Sequence, residues 1–380
     1  MPEQKLNGSP ASRQGGAIAA WNPDFYRGRR VFVTGHTGFK GSWMCRMLAM
    51  LGAEVTGYAL EPPTDPSLFE AAGIARDVHS VTGDIRDFGR LKEAFDAADP
   101  EVVIHLAAQP IVRESYRFPR ETYETNVMGT VNLMECVRLA VKSGGAVRSV
   151  LNVTTDKVYQ NREWVWGYRE SEPLDGFDPY SNSKSCSELV THSYRDSFFR
   201  KEDGSYFPAV STARAGNVIG GGDFAKDRII PDCVRAAMAG KPVGIRNPNS
   251  TRPYQHVLEP VAAYLMIAAA QAEDPAKCGF YNVGPDECDC ATTGELADLF
   301  TRCWGDGLTW EAADPNGPHE ANFLKLDCSL LKSVFGWSPR WHLAEAVEKT
   351  VEWSRVFASG GDVRECCSRQ IREFMGVINV

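Results

Sequence analysis

No apolar run in this chain approaches the roughly 20 residues that span a bilayer, so a membrane-crossing protein is not expected. The apolar piece Ala17–Ala20 is too short for a signal-peptide core, and cytoplasmic residence is the expectation. An excess of positive charge is missing as well. With 41 Lys and Arg against 49 Asp and Glu, the formal charge is −8. That balance argues against nucleic acid or an anionic membrane as the main partner, while leaving room for a local basic pocket around phosphates. The 11 cysteines lack scaffold spacing. Neither Cys288 and Cys290 nor Cys366 and Cys367 has a matching C-x-x-C pair or a histidine cluster, so reduced thiols and no metal site are expected. There is no internal repeat, and the only biased stretch is residues 1–28, rich in Gly, Ser, Gln and Ala, which read as a flexible tail.

What is present is enough for a sizeable core: 380 residues, 43% hydrophobic and 24% charged, fit one large domain or two joined ones. From Arg30 onward, short apolar runs alternate with helical stretches. The runs are Val31–Thr34, Glu54–Ala59, Val78–Thr82, Val102–Ala107, Ser149–Val153 and Ala209–Ala213. Near-continuous Val and Ile segments separated by helices predict an α/β fold, a doubly wound parallel sheet of Rossmann type over residues 29–215. The intervening helices are predicted at Ser42–Leu51, Leu91–Ala97, Tyr123–Val141 and Lys184–Phe199. The last two are long and amphipathic, and their pairing across a two-fold axis would give a homodimer or a higher homo-oligomer. Beyond Gly216 the alternation decays into Gly- and Pro-rich loops with helices near Ile230–Ala239, Gly294–Trp304 and Leu343–Phe357. Residues 216–380, including Val243–Arg246 and Gly279–Val283, are expected to form mainly a smaller substrate-binding lobe, partly interleaved with the sheet domain.

The first strand runs into Gly35-His-Thr-Gly38-Phe-Lys-Gly41 and then a helix. Glycines at this spacing allow a tight turn and let a pyrophosphate approach backbone N–H groups at a helix N-terminus, whose dipole favours anions. Gly35, Thr37, Gly38, Phe39 and Gly41 are therefore candidate dinucleotide contacts. The second strand ends at Glu61, which can serve the adenosine ribose, and no Lys or Arg occurs from Glu54 to Ala75, which favours NAD over NADP. Asp84 and Ile85, after the third strand, are placed for the adenine.

Residues 148–184 carry the candidate chemistry. A buried strand turns polar at Thr155, Asp156 and Lys157, at the carboxyl edge where open α/β sheets bind ligands. Tyr180 and Lys184 stand four apart, on one helical face, where a lysine charge favours the phenolate. Between Lys157 and Tyr180, Trp164, Trp166 and Tyr168 form an aromatic loop that either walls a ligand or simply packs. Arginine forks suit a diphosphate. Arg214, Arg228 and Arg252 are candidates, with Asn217, and Gln109 and Arg113 follow the fourth strand toward the same region.

Taken together, Thr34-Gly35-x-x-Gly38-Phe39-x-Gly41, His105-Leu-Ala-Ala108, Asn126-Val-x-Gly129-Thr130 and Tyr180-x-x-x-Lys184 resemble the extended short-chain dehydrogenase/reductase family over Arg30 to about Trp341. Within it, the turn through Trp43, Thr154-Thr-Asp-Lys157, Arg162–Tyr168, Gly216–Asp223 and Arg246–Pro253 are similar to the CDP-glucose 4,6-dehydratases. The resemblance implies NAD contacts at Leu106, Ala107 and Ala108, a tether for the Lys184 region at Asn126, and a nucleotide-sugar substrate. It further implies conversion of CDP-D-glucose to CDP-4-dehydro-6-deoxy-D-glucose, toward deoxysugars of lipopolysaccharide O-antigens, with hydride leaving C4 and returning at C6. In that scheme Tyr180 is the base for the C4 hydroxyl, Thr155 binds the same oxygen, and Asp156 is the acid for the C6 hydroxyl. Related dehydratases carry Asp-Glu where this chain has Asp156-Lys157. Lys157 is expected as the C5 base, the alternative being a charged lysine that stabilises the enolate. A nucleotide-sugar 4-epimerase, needing no such pair, is the competing enzyme; a cofactor-binding sensor with a vestigial site is the non-enzymatic alternative.

Overall fold

Seven short, Val-rich segments dominate the centre of the molecule. The computed structural model describes residues 22–313 and 323–376. Its main sheet is built from β1 (Arg30–Thr34), β2 (Glu54–Ala59), β3 (His79–Thr82), β4 (Val102–His105), β5 (Ser149–Thr155), β6 (Ala209–Ala215) and, after four short strands, β11 (Phe280–Val283). The order is β11-β6-β5-β4-β1-β2-β3, and every neighbouring pair is parallel. Strands succeed one another in one direction from β1 and in the other from β4, so the crevice outside the β1 and β4 carboxyl ends is the topological switch point.

Alternation along β1 explains why both faces are covered. Val31 and Val33 join one buried cluster and Phe32 another. The first cluster includes α1 (Phe39–Met50), α9 (Leu258–Glu273) and α13 (Val363–Met375); the second includes α3 (Phe88–Ala98) and α6 (Gly129–Lys142). Short helices α2 (Leu68–Ala71), α4 (Val112–Arg117) and α5 (Pro119–Tyr123) fill the connections, and α7 (Pro179–Tyr194) packs on β5. Its start is written locally: Pro179 fits the first turn, and the Asp178 side chain accepts from the Ser181 amide at 3.0 Å.

A third cluster lies beyond β6, where α8 (Ile229–Met238), α10 (Thr293–Trp304) and α12 (Leu343–Ala358) enclose Ile219, Val243, Phe300 and Val347. Paired with it are the two-stranded elements β7 (Val218–Ile219) with β10 (Gln255–His256), β8 (Val243–Ile245) with β13 (Trp310–Ala312), and β9 (Thr251–Pro253) with β12 (Cys290–Thr292). Helix α11 (Ser329–Phe335) lies against β11.

Three expectations are corrected. Gly279–Val283 belongs to the main sheet, because Phe280–Val283 pairs with Thr212–Ala215 of β6. The helix expected at Tyr123–Val141 is interrupted by a π-helical segment at Glu124–Met128, and the one expected to Phe199 ends in another at Arg195–Phe199. The tail does not extend to residue 28: Phe25 and Tyr26 are buried, and the Tyr26 hydroxyl donates to the Leu265 carbonyl at 2.6 Å. Residues 1–21 of that expected tail lie outside the described residues. No helix among the described residues is long and apolar enough to cross a membrane.

Candidate active site

The glycine turn is shaped by contacts that exclude a side chain. Gly35 has φ +76°, and a Cβ there would sit 2.7 Å from the Ala107 amide nitrogen; one on Gly41 would sit 2.2 Å from the Gly35 carbonyl oxygen. At Gly38, by contrast, a Cβ would meet only the Gly35 carbonyl oxygen at 3.4 Å, so the approach to the start of α1 is open. Gly38 is the N-cap and supplies no side-chain partner, which leaves the first amides of α1 directed at an incoming anion. The turn therefore fits a pyrophosphate. Around it Thr37 donates to the Leu60 carbonyl at 2.9 Å, Thr34 Oγ1 accepts from the amides of Leu106 and Ala107 at 3.2 Å, and Phe39 packs near Gly220. Glu61 accepts from Thr82 at 3.1 Å just beyond β2. Asp84 is gripped by Arg86, whose hydrogen bonds hold its carboxyl below the usual range, and Ile85 is buried against Gly129. Ala108 is half-buried beside these residues.

β5 extends to Thr155, two residues further than its apolar pattern suggests, and a single turn of 3₁₀ helix carries Asp156 and Lys157. Asp156 is fully buried. Its Oδ1 accepts from the Thr155 hydroxyl at 2.9 Å and from Lys157 Nζ at 3.3 Å, while Oδ2 has no hydrogen-bond partner. A Cβ on residue 216 would stand 2.3 Å from that Oδ2, so the aspartate requires Gly216 beside it. Lys157 keeps 32% of its side chain exposed, on the open side of the turn.

Tyr180 reaches this turn from α7. Burial pushes its phenol up to about 12, opposed by a hydrogen bond with Thr155 and by the Arg228 charge. Lys184 is buried, brought down to about 8 by desolvation, and its Nζ donates to the Val153 carbonyl at 3.1 Å. In this structure the ammonium thus rests on the strand, and the groups lowering the phenol are Thr155 and Arg228. Asn126 accepts from the Gln109 amide at 2.8 Å and donates to Ser183 at 2.9 Å, which ties the β4 loop to the residue preceding Lys184.

The expected substrate contacts divide. Asn217 follows β6 with its buried Oδ1 unpartnered, and Arg252 is 7% exposed. Arg228 pairs with Asp223 at 3.0 Å, and Arg113 with Asp227 at 3.5 Å. Gln109 spends its carboxamide locally, donating to Thr122 at 2.9 Å and accepting from the Ile111 amide at 2.5 Å. Arg214 is corrected: it is 1% exposed and bound on both sides of its fork to Glu188, so it is committed to the interior and cannot clamp a diphosphate. Tyr168 is likewise interior, stacked between Trp164 and Tyr159 at 5.3 Å from each, whereas Trp166 is 69% exposed. Cys288, Asp289 and His342 bring ligand-type atoms within 4.8 Å, but Asp289 already binds His342 and the first amide of α12.

Lys40, the second residue of α1, enters the centre itself. Burial lowers it to about 7, helped by Arg228 and Lys184 and opposed by Asp156. Glu188 was missed altogether, although its position four residues after Lys184 places it on the same helical face.

The pattern of the GDP-mannose 4,6 dehydratase family matches residues 32–350. The chain is 49% identical, over 93% of its length and 98% of the relative's, to a CDP-glucose 4,6-dehydratase of Salmonella typhimurium. It is 28% identical to a probable dTDP-glucose 4,6-dehydratase of Sinorhizobium fredii, over 85% of the chain and 92% of that relative. Its fold is shared with dTDP-glucose 4,6-dehydratase from Bacillus anthracis in complex with NAD (TM-score 0.71, 21% identity, 87% of this chain and 98% of that one). UDP-glucose 4-epimerase of Thermus thermophilus, also in complex with NAD, has the same fold (TM-score 0.73, 24% identity, 86% and 99% covered). With the glycine turn at the switch point, the Tyr180/Lys184 helix beside it and a match over most of its length, the chain belongs to the GDP-mannose 4,6 dehydratase family, within the extended short-chain dehydrogenases/reductases.

Proposed function

We propose that the chain is an NAD-dependent 4,6-dehydratase that converts CDP-D-glucose to CDP-4-dehydro-6-deoxy-D-glucose and water. The observation that carries this reading is the Asp156–Lys157 contact at 3.3 Å placed against Thr155 and Tyr180. An epimerase acting at C4 uses the tyrosine but has no task for a paired acid and base. The cytidine nucleotide is favoured by the 49% identity to the Salmonella enzyme.

NAD bound on the α1 turn supplies the acceptor and donor of hydride. The residues divide the remaining work. Tyr180 takes the C4 hydroxyl proton while Thr155 holds that oxygen; a phenol near 12 needs the added positive charge of a loaded site to act at neutral pH. Once C4 is a ketone, the C5 proton is acidified. Lys157, on the open side of the turn, takes it, and buried Asp156 gives a proton to the departing C6 hydroxyl. Asn217 and Arg252 bind the diphosphate, with Arg228 and Arg113 at its edge. We place the enzyme in the cytoplasm as a homodimer joined through α6 and α7, with residues 29–215 mainly holding the dinucleotide and 216–380 mainly the sugar nucleotide.

Incubation of the NAD-supplied protein with CDP-, UDP-, GDP- and dTDP-glucose in deuterated water tests this directly. The expected outcome is a 4-keto-6-deoxy sugar from CDP-glucose, carrying deuterium at C5. Product without label, inversion at C4 alone, or preference for another nucleotide would refute the corresponding part.

A further inference from the structure

The proposed mechanism has no use for a second set of fully buried charges near the site. Glu188 is 0% exposed and Arg214 1%. Their contact is bidentate: Arg214 Nε donates to Oε1 and Nη2 to Oε2, each at 3.0 Å. The carboxylate also meets His192 of α7, whose Nε2 lies 3.3 Å from Oε2, and its remaining contacts come from the strands beneath the acid/base turn. Thr154 donates to Oε1, and Thr212 donates to Oε2 at 2.6 Å. Arg214 in turn donates from Nη1 to the Tyr159 hydroxyl at 2.8 Å and the Glu170 carbonyl at 3.0 Å, and Tyr159 donates to Asn282 of β11 at 2.6 Å.

These bonds bracket the chemistry on both sides in sequence. Thr154 immediately precedes Thr155, and Tyr159 follows the Asp156–Val158 turn. In register, Thr154 lies opposite Arg214 across β5 and β6, and Arg214 opposite Asn282 across β6 and β11. Glu188 itself stands one helical turn beyond Lys184 and two beyond Tyr180, so it shares their face of α7. We infer that the Glu188–Arg214 pair is a positioning device, fixing the turn that carries Thr155, Asp156 and Lys157 relative to the helix that carries Tyr180 and Lys184. The roles of those five residues rest on the proposed dehydratase reading; the mechanical coupling does not.

A second effect follows from the charge. Charged or titratable groups that interact with Lys184 are Glu188 on its own helix, Lys40 on α1 and His105 at the end of β4, while Tyr180 stands one turn before it on the same face of α7. Among them Glu188 supports the ammonium, against a burial that already brings Lys184 to about 8. A desolvated pair of this kind contributes little net stability compared with apolar residues, but losing one partner leaves a buried charge uncompensated. Its value is geometric and local.

Glu188→Gln keeps the shape and removes the charge, and Thr154→Val removes one hydroxyl bond without stranding a charge. Hydrogen exchange on the full chain without cofactor should show residues 153–159 exchanging at least tenfold faster in Glu188→Gln, with β1 to β4 protected as before, and the same pattern at smaller amplitude in Thr154→Val. With CDP-glucose and NAD, kcat in Glu188→Gln should fall at least tenfold with KM within threefold. Its alkaline limb should move down by at least half a pH unit, because Lys184 loses its proton earlier. Unchanged exchange at 153–159, or uniform loss of protection in both variants, overturns the inference, as does an unmoved alkaline limb. Failure of the unaltered protein to convert CDP-glucose would count against the dehydratase reading alone, and exchange would then decide the coupling.

Discussion

Lys40 holds its amine in the desolvated centre, near the cations Arg228 and Lys184 as well as Asp156, and the consequence is a measurable linkage. Its pKa in the fold is about 7 against 10.5 for a free lysine, with burial as the main cause. Between those values the unfolded chain binds the extra proton, so this residue makes stability rise with pH across that window. Below about 7 the folded state carries the full cost of a buried ammonium; above 10.5 the cost is gone. Lys40→Met should therefore raise the melting temperature by several degrees at pH 6, with the gain shrinking steadily and vanishing near pH 10.5. Thermal unfolding at a series of pH values checks it, and a gain that is flat with pH would contradict the assignment. Asp156, Lys157, Tyr180 and Lys184 were legible from their neighbours because their chemistry is written within a few residues of sequence. Lys40 was visible only as a position in the glycine turn; its entry into the centre depends on Arg228 and Lys184, far away in the chain. Arg214 was misread for the related reason that an arginine ending a strand looks free until its partner on another element is known.

At the level of elements, the turn from β1 into α1 separates two uses of glycine that a motif treats as equal. Gly41 is needed for packing, since a Cβ would overlap the Gly35 carbonyl oxygen at 2.2 Å, whereas Gly38 has room for one. Gly41→Ala should lower unfolding free energy by about 1–3 kcal/mol, the usual cost of overpacking. Gly38→Ala should leave stability near that of the unaltered protein yet weaken NAD binding at least tenfold, because the added methyl occupies the approach to the helix amides. Denaturant unfolding and NAD titration of the two variants separate these outcomes. Most parallel strands were legible for the same local reason as the turn, each being a short apolar run. Helix α9 was not: Leu258–Gln271 is buried on every side, so it shows no polar face and none of the 3.6-residue rhythm that marks a surface helix. β11 escaped because Phe280–Val283 looks like any short apolar segment, and only pairing with β6 reveals its place.

Taken whole, the molecule leaves apolar side chains outside on the helices proposed for self-association. Leu189 of α7 is 54% exposed, and Met128, just ahead of α6, is 50% exposed. Leu189→Glu should convert a dimer to a monomer in light scattering at micromolar concentration without lowering the melting temperature of the chain itself by more than a few degrees. A molecule that is already monomeric before substitution would exclude the interface. The order of the sheet has a temporal side too. β6 is a strand of seven buried residues, and the neighbour that covers its outer edge, β11, comes only after the whole stretch from Gly216 to Gly279. Ribosomes add about 5–20 residues per second, so a nascent chain carries β6 with one row of backbone groups uncovered for several seconds. That interval is when the molecule is most open to pairing with a stranger, and chain terminated anywhere inside it would be expected in the insoluble fraction of the cell.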